Sequence, residues 1–405
     1  MALATWTMRN YNRDGVPQMS ADFGNDLGAV SHEIRRASNR NIQFYLNGVD
    51  QLSFSLNLKD PMALIVKPLT SFVKVWRSVP GYADPANAPC FSGIVTSRVL
   101  RGNAGQVDYT VFSPLWRLQS RFHILNHYLN INVDTGQLFT HSELMFKFID
   151  LVNEAFGLLA GFTGINIGTF SWANDPIAAP YFQARGASTW AIIFDDLMSR
   201  EDAPDIIPEY RHQDNNPELM LFSTAEKRGT DRTASVSFNY RIGSENNPVN
   251  NLEDVVETEI VVPGEYANYV WIVGHGGPNS GKIAKAENNT TVGYGYKSVG
   301  IYMKRMDLPD FKRYDSKMKK VADAELKQSI VPKTSYETEI APAADLYYQR
   351  DFSLGDAISL NANKGALQAA GVKQRIYQVS IANSENNIET CKPLIADDFY
   401  GKVVT

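Results

Sequence analysis

The chain has 405 residues, of which 44% are hydrophobic and 20% charged, as in a globular protein with a core. This length allows about two to four domains. The formal net charge is −5 with no basic block, which argues against a protein that grips DNA or RNA through phosphates. No apolar run approaches the roughly 20 residues of a membrane span, and the first residues do not predict a signal peptide.

The first part of the chain predicts antiparallel strands. Residues 41–116 are interpreted as antiparallel strands. Leu52, Phe54, Leu56 and Leu58 alternate with polar residues, the period of a half-buried strand, and Asn47-Gly48 predicts a tight turn before them. Further strands are predicted at Phe72–Trp76, Gly93–Leu100 and Gln106–Phe112, the last two as a hairpin. Short strands at this spacing favour a small barrel or sandwich.

The middle of the chain changes to a mixed pattern. A capping box at Thr140–Glu143 predicts a helix that ends near Gly157, and a second helix is predicted from Ser188 to the residues before Pro204. The short apolar pieces Ile206–Ile207 and Leu219–Phe222 then predict a hairpin. Residues 119–225 are therefore interpreted as a small α+β domain.

The last part of the chain returns to strands, with one helix predicted over Ser316–Ile330, where Lys317, Lys319 and Lys320 would form a solvated face. The predicted strands are residues 233–243, Ile260–Val262, Tyr269–Val273, Phe352–Leu360 (as one bent strand or a strand pair), Arg375–Ile381 and Thr390–Leu394.

A glycine-rich stretch from Gly276 to Lys282 has the G-x-x-x-x-G-K spacing of a phosphate-binding loop. That loop also needs a hydroxyl for Mg²⁺ after the lysine and a helix that begins there, so that backbone N–H groups face the phosphates. Ile283 occupies the hydroxyl position, and turn residues follow within a few positions. We expect a hairpin-like loop after a buried strand, and no nucleotide binding.

Other candidate sites are equally incomplete. His123 and His127 share the spacing of a zinc-binding helix, but Ile124 stands where such a helix carries its glutamate. The acidic group, which consists of Asp195, Asp196, Glu201, Asp202 and Asp205, is interpreted as a solvated helix end. Gly186–Trp190 lacks the second glycine of a nucleophile elbow. The sequence therefore predicts no catalytic, cofactor-binding or metal site.

The two cysteines, Cys90 and Cys391, are about 300 residues apart and do not have metal-ligand spacing. They are interpreted as unpaired thiols in a reducing compartment. Cys90 also has no neighbour in the sequence that would activate it as a nucleophile.

Three stretches carry a family resemblance in their order along the chain. They are Arg40–Asp50 running into Leu52–Pro61, then Ala225–Asp231 leading to Pro263–Tyr269, then Phe352-x-Leu354-Gly355-Asp356 followed by Leu360–Gly365. Together they resemble the baseplate hub proteins of phages, in particular the hub-type minor tail proteins of siphophages that infect actinobacteria. The likeness extends over nearly the whole chain.

The resemblance implies a β-rich α+β fold with two tail-tube-like antiparallel β-barrels and two smaller α+β domains. The corresponding division is 1–118 for the first barrel, 119–225 for a small domain, 226–249 with 333–402 for the second barrel, and 250–332 for an inserted mixed domain. The residues predicted for the two barrel cores are Leu52, Phe54, Leu56, Val73 and Val75 in the first, and Phe352, Leu354, Ile358, Leu360, Ile376 and Val379 in the second.

The resemblance also implies a structural, non-enzymatic role at the tail tip of a virion assembled in the host cytoplasm. Three copies would form a ring that matches a sixfold tube to a threefold tip and leaves a channel for the genome. The implied partners are the distal tail protein ring, the tape measure protein and tip or fibre proteins, and DNA would pass without specific binding. Two alternatives stay open: a β-rich hydrolase with a site built from distant residues, and a receptor-binding tail protein.

Overall fold

The computed structural model describes residues 4–12, 17–18, 20–22, 29–116, 138–139, 165–170, 177–178, 205–211, 220–225, 227–241, 250–260, 269–273, 283–287, 301–305, 319, 323, 326, 333–384 and 386–397. Strands dominate this part of the chain, and most of their pairings are antiparallel. The fold is therefore β-rich, as predicted. The predicted helices at 140–157 and 188–203 lie outside the described residues.

The amino-terminal elements are β1 (Thr5–Tyr11), β2 (Ser20–Asp22), β3 (Ala29–Ser31), β4 (Ser38–Tyr45), β5 (Gln51–Asn57), α1 (Pro61–Ile65), β6 (Phe72–Val79), β7 (Tyr82–Ala83), β8 (Phe91–Arg101) and β9 (Gln106–Phe112). The middle elements are β10 (Leu138–Phe139), β11 (Ile165–Phe170), β12 (Ile177–Ala178), β13 (Asp205–Tyr210) and β14 (Met220–Ala225).

The remaining strands are β15 (Ser237–Tyr240), β16 (Leu252–Ile260), β17 (Tyr269–Val273), β18 (Ile283–Glu287), β19 (Ile301–Arg305), β20 (Lys333–Ile340), β21 (Ala357–Lys364), β22 (Leu367–Asn383) and β23 (Glu389–Ala396). Among the described strands, thirteen form one sheet, and the others form four small sheets.

The first half of the large sheet runs in the order β1-β6-β8-β9-β5-β4, and we call these strands the first unit. Its end strand β1 also forms backbone hydrogen bonds with the segment that leads into β4. Ile34 donates its backbone N–H to Met8 at 2.8 Å, Asn10 donates to His32 at 2.9 Å, and Arg9 and Glu33 form an antiparallel bridge. These bonds satisfy much of the edge that β1 would otherwise expose.

The second half, which we call the second unit, runs in the order β15-β21-β22-β23-β20-β16. The two end strands of this unit are also linked. Asn251, directly before β16, donates its backbone N–H to the carbonyl oxygen of Asn239 in β15 at 3.1 Å. Asn239 in turn donates its backbone N–H to the Asn251 side chain at 2.7 Å.

The two units have the same strand order. If the strands of each unit are matched in chain order, β1, β4, β5, β6, β8 and β9 correspond to β15, β16, β20, β21, β22 and β23, and every pairing in one unit has its counterpart in the other. The pairings differ in one respect: β1 and β6 are antiparallel, whereas β15 and β21 are parallel. The sequences of the two units show no repeat.

The two units meet on strand β22. Its first part pairs with β21 through Arg375, and on the same side of the strand its last part, Gln378–Asn383, pairs antiparallel with Tyr45–Arg40 of β4. The main sheet is therefore continuous from the amino-terminal to the carboxy-terminal part of the chain.

All eleven side chains predicted for the barrel cores are buried, namely Leu52, Phe54, Leu56, Val73, Val75, Phe352, Leu354, Ile358, Leu360, Ile376 and Val379. They belong to one continuous hydrophobic cluster that spans both units. The alternation of apolar and polar residues around Leu52, Phe54 and Leu56 therefore identified the inward face of β5 correctly.

The predicted hairpins are also confirmed. β8 pairs with β9, and β13 pairs with β14 in the register Ile206↔Thr224. The short helix α1 was not predicted. Asp60 caps it by accepting the backbone N–H of Met62 at 2.8 Å, and Pro61 occupies its first turn, a position that favours proline.

The predicted strand over Phe352–Leu360 is wrong in its first half, because β21 begins only at Ala357. Gly355 has φ +84, and the Asp356 carboxylate accepts the backbone N–H of Ser353, so this stretch is a turn. The predicted strand at residues 233–243 is likewise shortened to Ser237–Tyr240.

The glycine-rich loop joins β17 and β18, which pair antiparallel with Val273 opposite Ile283. A strand, and not a helix, begins at Ile283, and this agrees with the predicted hairpin-like connection. Residues 276–282 themselves lie outside the described residues. β19 completes this small sheet by pairing parallel to β17.

In the predicted helix over 316–330, the described residues Lys319, Asp323 and Leu326 are helical. Lys319 and Asp323 are exposed and form an ion pair at 2.7 Å, as expected for a solvated face. None of the described helical residues belongs to a helix with the length and apolar character of a membrane span.

Strand β16 falls within residues 250–332, which were predicted to form an insert. It pairs with β20 along most of its length, from Leu252↔Ile340 to Ile260↔Lys333. The division of the chain into domains stays a prediction.

Candidate functional site

A hydrogen-bonded group of residues that includes the buried side chains of Asp50, Asp205, Asp356 and Arg375 lies where the two units and the β13–β14 ribbon meet. We call this group the junction, and it consists of Asn47, Asp50, Asp205, Tyr210, Arg228, Gly229, Thr230, Gly355, Asp356 and Arg375. These residues come from five separate stretches of the sequence, so only the folded chain brings them together.

Asp205 is the main acceptor of the junction. One of its carboxylate oxygens accepts the side-chain N–H of Asn47 at 2.8 Å, and the other accepts the backbone N–H of Arg228 at 2.7 Å and an N–H of Arg375. The side chains of Asp205 and Arg375 are both at least nine-tenths buried, so their charges are compensated by each other and by backbone groups.

Arg375 adds two backbone contacts to this ion pair. Its guanidinium donates to the carbonyl oxygens of Gly355 and Arg228, each at 3.1 Å. Because Arg375 lies in β22 and Asp205 begins β13, their contact joins the second unit to the ribbon.

Asp50 forms a second buried pair, with Tyr210. Its carboxylate accepts the Tyr210 hydroxyl and, at 2.8 Å, the backbone N–H of Tyr45. Burial raises the pKa of Asp50 to about 6, although both hydrogen bonds and the charge of Arg228 act in the opposite direction. Burial also raises the pKa of Tyr210 far above its ordinary value, with the Asp50 charge as the next cause, so the phenol is neutral at physiological pH.

The backbones at two glycines, Gly229 and Gly355, cross in close contact within the junction. Gly229 has φ +91 and Gly355 has φ +84, a backbone conformation that favours glycine. A Cβ atom on Gly355 would lie 2.1 Å from the carbonyl oxygen of Arg228, and a Cβ on Gly229 would lie 2.3 Å from the carbonyl carbon of Gly355. The close contact of the two backbones therefore requires glycine at both positions.

Asp356 holds this crossing in place. Its carboxylate accepts the backbone N–H of Thr230 at 2.7 Å and that of Ser353 at 2.8 Å, and it forms an ion pair with Arg232 at 2.9 Å. The L-G-D turn therefore ties β21 to the segment before β15.

A second buried cluster lies between β6 and β23. Arg77 donates to both carboxylate oxygens of Glu389, at 2.8 and 2.6 Å, and to the carbonyl oxygen of Tyr348 at 2.8 Å. Trp6 donates its indole N–H to Glu389 at 3.2 Å. Burial alone would lower the pKa of Arg77, but its hydrogen bonds with Glu389 and the charge of that carboxylate outweigh burial and raise the pKa.

Both cysteines are free and buried. Burial raises the pKa of Cys90 and of Cys391, so both thiols are neutral at physiological pH, and a neutral thiol is a poor nucleophile. The described part of the chain holds no group of three His, Cys, Asp or Glu side chains placed to share a metal ion.

The contacts in both clusters link segments of the chain that are distant in the sequence. Their carboxylates accept hydrogen bonds from arginine side chains, tyrosine hydroxyls and backbone N–H groups of distant segments. Such contacts hold separate segments of the chain in one geometry.

Of the candidate residues considered from the sequence, His123, His127, Asp195, Asp196, Glu201, Asp202 and the segment 186–190 lie outside the described residues. Asp205 is described, and its interpretation as part of a solvated helix end is wrong. It is 6% exposed and begins a strand, because buried donors surround its carboxylate.

The junction itself was not predicted as a site, yet a signal for it was present. Three of its backbone segments, Asn47–Asp50, Arg228–Thr230 and Gly355–Asp356, lie within the stretches that carry the family resemblance. Arg375, Tyr210, Arg77 and Glu389 had no comparable signal, because isolated charged or aromatic residues in strands are common.

No protein-family model and no curated protein match the sequence. Solved structures do match the fold. The tail protein from Neisseria meningitidis MC58 matches with a TM-score of 0.56 and 10% identity, over 98% of this chain and 98% of its own. The 43 kDa tail protein of prophage MuSo2 from Shewanella oneidensis matches with a TM-score of 0.54 and 10% identity, over 96% and 98% of the two chains.

The prophage tail protein gp18 from Listeria monocytogenes EGD-e matches with a TM-score of 0.52 and 9% identity, over 97% of this chain and 95% of its own. All three matches extend over nearly the full length of both chains. The chain therefore has the fold of these tail proteins, two of which are prophage proteins.

Proposed function

We propose that the chain is a structural baseplate hub protein at the tip of a phage tail, of the hub type that the sequence resembles in siphophages of actinobacteria. The observation that carries this proposal is the repeated strand order of the two units and their fusion through β4 and β22. Each unit is a tube-like β-barrel in this proposal, and strand β16 belongs to the second barrel.

The repeat explains how a trimer meets a tube with six subunits. Three copies, each with two similar barrels, supply six barrel positions around one axis, while the rest of each chain presents threefold symmetry to the tip. Closed rotational symmetry is the usual arrangement of homo-oligomers. The fold shared with phage tail proteins over nearly the whole chain supports this placement.

In this role the chain is not an enzyme. It contacts the distal tail protein ring above, the tape measure protein within, and tip or fibre proteins below, and the genome passes through its channel during ejection. The junction supports this role, because buried ion pairs hold the two barrels and the β13–β14 ribbon in a fixed relative position.

Electron microscopy of virions labelled with an antibody against this chain tests the proposal. We expect label at the distal end of the tail only. Label along the tail shaft or on the capsid, or virions that lack the chain, would contradict it.

A further inference from the structure

The repeated strand order has a consequence for the ring. The strand pairing that joins the two units inside one chain has a symmetry-related counterpart, which the described chain does not form with itself. Inside the chain, β4 of the first unit pairs with the last part of β22 of the second unit. Matched by strand order, β4 corresponds to β16, and β22 corresponds to β8. The counterpart of the internal pairing is therefore a pairing of β16 with β8.

Both strands have the edge that this pairing needs. Strand β6 pairs with β8 only over Phe91–Ile94, just as β21 pairs only with the first part of β22. The outer part of β8, Ser97–Arg101, pairs with β9 along one edge, and no described strand pairs with its other edge. Within the described chain, β16 pairs along its length with β20 alone.

We propose that neighbouring copies of this chain join by antiparallel pairing of β16 of one copy with the outer part of β8 of the next. This inference rests on the proposed ring of three copies and names the strands that form its contact. The contact is head-to-tail, the type of interface that closes into a ring.

The internal pairing also predicts the register. Gln378 lies opposite Leu394 directly after a bulge in β22, and Ser97 lies opposite Thr110 directly after a bulge in β8, so Gln378 and Ser97 correspond. Three residues further along each strand, Ile381 corresponds to Leu100.

The position on β16 follows in the same way. Leu52 lies opposite Val111 in the first unit, and Tyr336 lies opposite Ile395 in the second, which makes Leu52 and Tyr336 correspond. Their partners on the next strand are Ile42 and Glu257.

Ile42 pairs with Ile381 inside the chain, so Glu257 of one copy would lie opposite Leu100 of the next. The neighbouring pairs in this register are Arg98 with Glu259, Val99 with Thr258, and Arg101 with Val256.

Exposure and charge at the two edges fit this pairing. Val99, Leu100 and Val256 are 46%, 58% and 48% exposed, and they are three of the five large hydrophobic residues that are exposed in the described chain. The outer part of β8 carries Arg98 and Arg101. Strand β16 carries four carboxylates, at Glu253, Asp254, Glu257 and Glu259. Opposite charges across neighbouring strands stabilise their pairing.

Cysteine pairs test the register. Directly opposite residues of antiparallel strands have Cβ atoms about 4.5–5.5 Å apart, close to the separation that a disulfide spans. The double variants Val99→Cys/Thr258→Cys and Arg101→Cys/Val256→Cys, purified and oxidised at high concentration, should lose the monomer band on a non-reducing gel and end at covalent trimers. Two pairs are used so that a folding defect in one does not decide the test.

The matched control is Val99→Cys/Glu253→Cys, in which the second cysteine is displaced by about 17 Å along the same strand. It should stay monomeric on the gel. The pairing of β8 with β16 would be overturned if none of the variants formed cross-links, or if the control formed them equally well. These strand edges would then be expected to contact a different protein. The copy number in virions is measured independently, so a trimeric hub without these cross-links would refute this contact and keep the proposed function.

Discussion

Arg77 and Glu389, which are 312 residues apart in the sequence, form a two-pronged ion pair with N–O distances of 2.6 and 2.8 Å. Their side chains are 1% and 5% exposed. The pair joins β6 of the first unit to β23 of the second, so it belongs to the contact that fixes the two units relative to each other.

Removal of one partner of this pair should destabilise the protein strongly. Arg77→Met leaves a buried carboxylate without its counter-charge, and Glu389→Leu leaves a buried guanidinium without its own. Each variant should lose about 3–5 kcal/mol of unfolding free energy in urea titrations.

The double variant Arg77→Met/Glu389→Leu should recover most of that loss, because no buried charge remains. Lys373→Met serves as the control, since it removes one partner of the exposed ion pair with Asp231 and should leave the unfolding free energy almost unchanged. A double variant whose loss equals the sum of the single losses would show that the pair is not coupled.

The glycine crossing gives a second prediction. Gly355→Ala should cost at least about 3 kcal/mol, because its Cβ would collide with the Arg228 carbonyl oxygen and its φ is positive. Gly365→Ala is the matched control: its φ is +60, but no atom lies within 4 Å of the added Cβ, so it should cost only about 1 kcal/mol. Equal losses for the two variants, measured by urea unfolding, would refute the close contact.

The raised pKa of Asp50 predicts a pH dependence of stability. Its pKa is about 6 in the folded protein against 3.8 in the unfolded chain, so between these values the folded state binds more protons. This group therefore contributes stability at low pH that is lost as the pH rises from about 4 to about 6. Asp50→Asn does not titrate at this position, and its unfolding free energy relative to wild type should rise by about 2 kcal/mol between pH 4 and pH 7.

Asp108→Asn is a control of opposite sign. The hydrogen bond from Arg101 lowers the pKa of Asp108, so this carboxylate stabilises the fold above its unfolded pKa and loses that effect as the pH falls. The variant should therefore become less stable relative to wild type as the pH rises. A pH-independent difference for Asp50→Asn would show that Asp50 is ionised as easily in the fold as outside it.

DNA binding gives the fourth prediction. With a net charge of −5 and four carboxylates on β16, the chain should not retain double-stranded DNA in a gel-shift assay at physiological salt. A genome in transit would be slowed by many lysine or arginine contacts. Tight binding that weakens steeply with added salt would contradict the proposed channel.

The sequence predicted local features better than distant ones. The alternation at Leu52, Phe54 and Leu56 identified an inward face, and the apolar pieces around Ile206 and Met220 identified a hairpin, because these signals reside in neighbouring residues. The strand predicted through Gly355 failed, since a glycine with positive φ and an aspartate that accepts a backbone N–H override β propensity.

Contacts between distant residues had no signal in the sequence. Nothing in residues 40–45 indicates that they pair with residues 378–383, and the same is true of Asp205 and Arg375. Buried ion pairs of this kind consist of common residue types, and only the folded backbone determines which arginine meets which carboxylate.

The most direct test of the central claim is a cryo-electron microscopy reconstruction of the tail tip of virions that contain this chain. The proposal predicts three copies around one axis, with six barrels, two from each chain, lining a single channel. Six copies of the chain, one barrel per chain, or two barrels that face away from the axis would contradict it.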